Sequence, residues 1–174
     1  ELDSFVPKEI IDVHTHLYLW EFNSDPVKDK APEAGKTWPA KPFREDFPVA
    51  GWEQSNKIDQ LLMPGRKVHR ISFGMPFARV DFEASNKFTA VQTANDSNSH
   101  ALMLIEPKMT ADYLEEQVEK YGFIGFKPYR LYSITGDVDN CRITDFIGEH
   151  QIEVAHRLGL IIMMHVSKRN AIAD

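Results

Sequence analysis

Short β-like runs alternate with stretches of helical period along most of this chain, and that alternation limits its possible architectures more than any other feature. The runs are residues 10–17 (IIDVHTHL), 68–75 (VHRISFGM), 100–106 (HALMLIE), 123–128 (FIGFKP) and 160–166 (LIIMMHV). Four helices are predicted between them, over residues 53–63, 81–95, 110–121 and 143–158. Pro64-Gly65, Gly122 and Gly159 stop three of these, and Thr110 caps the third, with acidic residues in its first turn. Strands that alternate with helices pair in parallel through right-handed crossovers, so the class is α/β. The last run is apolar on both faces, as suits a strand covered on both sides.

Two closures fit this pattern. One is an open doubly wound sheet of five strands, which 174 residues would complete. The other is a (β/α)8 barrel of TIM type, typically about 250 residues, of which this chain would cover the first five strands and four helices. Length favours the open sheet, whereas the positions of the chemically able residues favour the barrel. Residues 1–174 read as a single domain. Within it, residues 18–52 form a long proline-rich, aromatic loop that we read as a lid.

Composition narrows the partners. A net charge of −6 without a dense Lys/Arg block argues against nucleic acid and against an anionic membrane surface. The longest strongly apolar run is far short of the roughly 20 residues of a membrane span. A small-molecule substrate is the expected partner. Cys141 is the one cysteine, so no internal disulfide forms and a cytoplasmic setting fits.

His14 and His16 stand two apart on the first strand, so in a regular strand both point to one face with Cα atoms roughly 6.5–7 Å apart. Such a pair can converge on a divalent ion, most simply Zn, or serve as two separate polar residues at a strand end. Their place at the C-terminal end of the strand is where parallel folds put their ligands. His165 ends the fifth strand at the same level and could supply a third nitrogen, or be a satisfied core histidine. Lys127 ends the fourth strand inside an apolar run. There it should meet an anion (a carboxylate, a substrate or a carbon dioxide adduct) or else reach solvent. Arg130 with Lys127 would suit a substrate carboxylate, and Tyr129, Arg79 and Glu106 lie at the same end. Asp12 is expected on the face of the two histidines, deeper down. His69 and His100 begin their strands, at the opposite and structural end, and His150 and His156 read as surface or packing residues.

Taken together, IIDVHTHL, GFIGFKPYR and GLIIMMHVS resemble the amidohydrolase superfamily, specifically its amidohydrolase-related, metal-dependent TIM-barrel hydrolases. The resemblance implies a (β/α)8 barrel and a catalytic metal on His14, His16 and His165, with Lys127 and Arg130 at the catalytic end. It also implies a metal-activated water acting on an amide, lactone or similar carbonyl bond. Non-oxidative decarboxylases belong to the same branch, and a non-catalytic fragment or scaffold subunit is the alternative from another class. The family's later histidine and aspartate have no counterpart here. The resemblance therefore implies the N-terminal part of a longer protein, or one piece of an assembly completed by a complementing chain or a homo-oligomer.

Overall fold

The computed structural model describes residues 4–24 and 48–165. Strands β1 (Glu9–His16), β4 (Lys67–Phe73), β5 (His100–Ile105), β6 (Gly125–Pro128) and β7 (Ile161–Ile162) form one sheet in that order, every pair parallel. Helices α1 (Trp52–Leu62), α2 (Phe82–Thr93), α3 (Ala111–Tyr121) and α4 (Glu149–Leu158) connect consecutive strands. Each new strand is added at the same edge. A doubly wound sheet must reverse its order at a switch point, and this one does not. Right-handed crossovers without reversal put every helix on one face, which removes the open doubly wound alternative. The protein is α/β, with a singly wound five-stranded parallel sheet and four helices.

The core lies between the helices and the outward residues of the middle strands. Ala101, Met103 and Ile105 of β5 and Phe126 of β6 pack against Ala90, Leu114, Val154 and Ala155. Asn86 of α2 reinforces the sheet where β4 and β5 diverge. Its amide accepts from the Leu104 N–H at 2.8 Å and donates to the Leu104 carbonyl at 2.9 Å, standing in for a ladder partner. Thr110 and Asp81 cap α3 and α2 through their side chains, and Gly122 closes α3 in the left-handed conformation that glycine adopts without strain.

Several expectations need correction. The helix foreseen over 143–158 is broken: a 3-10 turn spans Ile143–Asp145, and α4 starts only after Gly148, which is extended and acts as its N-cap. Buried Phe146 and Ile147 occupy the gap, anchoring the turn where a continuous helix would carry them away. The last strand is two residues long rather than seven, and Ile161 and Met164 are substantially exposed, so it is not covered on both faces. Helix α1 forms as foreseen, yet Ile58, Leu61 and Leu62 face solvent. On neighbouring β1, Ile11 and Val13 are exposed as well. Both sheet edges are therefore unpaired among the described residues, with apolar side chains beside them. The loop foreseen over 18–52 is rooted in a two-stranded antiparallel ribbon, β2 (Tyr18–Leu19) with β3 (Val49–Ala50). Tyr18 and Phe22 pack with Met75 and Phe77 there, while residues 25–47 lie outside the described part. No helix among the described residues is long and apolar enough to cross a membrane.

At the N-terminal end of the sheet, Asp96 ties β4 to the turn before β5. It accepts from Ser99 Oγ at 2.6 Å, meets His69 Nδ1 at 2.6 Å and lies 3.4 Å from Lys67 Nζ. Burial acts to raise its pKa. The hydrogen bonds from Ser99 and His69 and the charges of His69 and Lys67 outweigh it and hold the carboxyl well below its usual value of 3.8. A carboxyl whose pKa is lower in the fold stabilises fully above the unfolded value and loses that contribution as pH falls below it. Asp96→Ala is expected to cost about 2–4 kcal/mol at pH 7 in urea unfolding. The difference from the parent should shrink as the pH is taken below 3.8. His69 is thus a structural residue, as its position at the strand start foretold.

Candidate metal and substrate site

The strand register decides which side chains meet at the C-terminal end of the sheet. Asp12 pairs with Arg70 and Thr15 with Ser72, so β1 spends one residue more than β4 over this stretch, a β-bulge at Val13 and His14. Beyond the bulge, His16 aligns with Phe73. The bulge undoes the simple two-residue alternation, so Asp12 does not extend the His14/His16 row. Its carboxylate turns back onto its own strand, accepting from the His14 N–H at 2.9 Å and the Thr15 hydroxyl at 2.7 Å.

His14 and His16 nevertheless come together. Their ring centroids are 5.4 Å apart, and each meets Phe73 edge to face, at 4.9 and 4.7 Å. Lys127 Nζ lies 4.4 Å from the Phe73 centroid and 5.3 Å from that of Tyr129. The Tyr129 ring in turn stacks on His165 at 5.0 Å. Side chains from β1, β4, β6 and the segment after β7 thus form one continuous line of contacts. Among the described residues, no three His, Cys, Asp or Glu side chains are gathered closely enough to hold a metal ion. Two imidazoles are adjacent, and the third is reached through Phe73, Lys127 and Tyr129.

All three imidazoles have lowered pKa values. For His16, burial leads and takes the value down to about 4; the hydrogen bond to Gly74 opposes it, and the charges of His14, Lys127 and His165 add to the lowering. Partial burial and the Lys127 charge lower His14 against the pull of Asp12, and partial burial, Lys127, His14 and Arg130 lower His165. His16 Nδ1 lies 3.0 Å from the Gly74 carbonyl oxygen. A carbonyl only accepts, so Nδ1 carries the proton and Nε2 keeps a lone pair.

Lys127 is 1 % exposed, and no carboxylate pairs with it among the described residues. Burial alone pushes its pKa down to about 8. The carboxylate partner that such a lysine should have is thus not found, nor is the escape to solvent. Arg130 is also buried: its Nε donates to Cys141 Sγ at 3.4 Å, while its Nη2 has no partner, and the buried Tyr129 hydroxyl has none either. Glu106 pairs instead with Lys108 at 2.8 Å. Ser24 bonds the Arg79 carbonyl at 2.9 Å, which places Arg79 beside the root of the lid loop. His150 meets the Met109 carbonyl at 2.9 Å, a packing role as expected. Sequence reasoning missed Phe73 and Gly74, the ring and the carbonyl that organise the imidazole pair. Their position at the end of the second main strand, level with the HxH, was the available signal.

No protein-family model, no curated protein and no solved structure matches this chain. The case for its chemistry therefore rests on these side chains.

Proposed function

We propose that this chain carries the metal-binding half of a metal-dependent hydrolase site for an amide, lactone or similar carbonyl bond, within a TIM-type barrel that further strands complete. The observation that carries the reading is the imidazole pair on β1. His14 and His16 are adjacent, their pKa values are depressed, and Nδ1 of His16 is fixed by a backbone carbonyl. Metal-ligating histidines characteristically donate their other ring N–H to a carbonyl or carboxylate, which fixes tautomer and orientation. Neutral imidazole is the ligating form, and His16 is neutral throughout the physiological range.

His14, His16 and His165 would hold the ion, Zn being the simplest fit to nitrogen donors. A bound divalent ion supplies Lewis acidity toward a carbonyl oxygen and lowers the pKa of a coordinated water. His165 would leave its stack on Tyr129 to join the pair. Lys127, with its amine near half-protonation at pH 8, can hold or release a proton at Nζ beside the reacting group. The rings of Phe73 and Tyr129 keep that amine out of water. The single cysteine, buried and free, suits a cytoplasmic setting.

Metal analysis of the purified chain tests the reading. The parent should retain close to one equivalent of a divalent ion after desalting, and the His14→Ala/His16→Ala double variant should retain at least tenfold less. Equal retention by both would remove the proposal and leave the non-catalytic reading.

A further inference from the structure

Every polar group at the C-terminal end of β6 that lacks a partner is a donor. Over residues 127–130 the chain buries an amine, a phenol and a guanidinium, each at most 4 % exposed. Lys127 Nζ meets only rings, and Tyr129 Oη and Arg130 Nη2 have no hydrogen-bond partner. A buried donor without an acceptor costs the fold its desolvation penalty, and one left with a net charge costs more. Three of them within four residues are not an accident of packing, because hydrophobic residues of similar volume would serve packing better.

What is missing is an acceptor with several lone pairs and a negative charge. A planar guanidinium with a neighbouring hydroxyl matches a carboxylate, which takes a donor on each oxygen. Both groups border the imidazoles: the Tyr129 ring stacks on His165, and the Arg130 charge is felt there. Phe73, Tyr129 and Tyr132 line the surroundings with aromatic surface, and Tyr132 is held in place by its hydroxyl bond to the Phe77 carbonyl at 2.9 Å. That setting suits an apolar ring carrying the anion better than a strongly hydrated phosphate.

We propose that Tyr129 Oη and Arg130 Nη2 form a subsite for the carboxylate of an aromatic acid, which holds the substrate beside the imidazoles. This rests on the reading of that cluster as a reaction site and names the class of substrate it takes.

Calorimetric titration of the full chain with benzoate, with benzamide as the uncharged isostere, tests the subsite, using both zinc-loaded and chelator-stripped protein. Benzoate should bind in both forms at least about tenfold more tightly than benzamide. Arg130→Gln should weaken benzoate by about tenfold or more and leave benzamide unchanged. Because Arg130 is buried and its replacement may unfold the chain, Tyr129→Phe gives the independent reading. It removes a hydroxyl without a partner, so it should not lower the melting temperature, yet it should weaken benzoate several-fold. Benzoate binding only to the zinc-loaded form and insensitive to both variants would overturn the subsite while leaving the metal reading intact. Equal affinity for benzoate and benzamide, or tighter binding of inorganic phosphate than of benzoate, would overturn it too. Benzoate binding that follows both variants in protein unable to retain metal would support the subsite and remove the metal reading.

Discussion

Lys127→Met is expected to make the protein more stable at pH 7, by about 2–3 kcal/mol. The amine is buried, meets no carboxylate among the described residues, and has its pKa pushed by burial from 10.5 to about 8. Below pH 8 both folded and unfolded chains carry the proton, and the fold bears the full cost of burying the charge. Between 8 and 10.5 the folded chain releases the proton while the unfolded chain keeps it, so stability rises with pH. Above 10.5 the cost is gone. The advantage of the methionine variant should therefore fall below about 1 kcal/mol at pH 10. Urea unfolding at the two pH values measures this. A variant less stable than the parent at pH 7 would mean that the ammonium has a partner supplying more than the two rings. A residue that weakens its own fold and sits between imidazoles is the usual mark of a site kept for chemistry.

The second large effect concerns the close approach of β6 and β7. A Cβ at Gly125 would stand 2.2 Å from the Ile161 carbonyl oxygen and 2.6 Å from Ile161 Cγ1. The nearest atom is backbone, so no side-chain rotation relieves the clash and β7 must move away. Gly125→Ala should cost about 3 kcal/mol or more, lowering the melting temperature by roughly 6–12 °C. Because His165 follows β7 by three residues, its stack on Tyr129 should be lost with the strand. The imidazole resonance of His165 should shift accordingly, whereas those of His14 and His16, on the far edge, should stay. A variant that melts with the parent would contradict the β6–β7 pairing.

The alternation of elements and their caps could be read from local signals, because Thr110, Gly122 and Gly159 act on the backbone within a turn of their own position. Strand order could not be read this way. It depends on which edge each crossover returns to, and residue count pointed toward the wrong closure. The break before α4 was hidden because Phe146 and Ile147 continue an apolar spacing that suits either a helix or an anchored turn. The apolar period of α1 predicted the helix correctly but not its exposure, since a periodic stripe says only that a partner is wanted. At the site, the HxH spacing pointed to the right pair for an incomplete reason. Plain alternation would also have placed Asp12 with them, and the bulge at Val13 and His14 separates it. The Gly74 carbonyl that orients His16 is 58 residues away in sequence and has no side chain to announce it.

Crystals of the zinc-loaded chain, with data collected on both sides of the zinc absorption edge, test the central claim most directly. An anomalous peak bonded at about 2.0–2.1 Å to nitrogens of His14, His16 and His165, with the His165 ring turned off Tyr129, is the result expected. A peak elsewhere, or a His165 ring still stacked on Tyr129 while the β1 pair binds nothing, would contradict it.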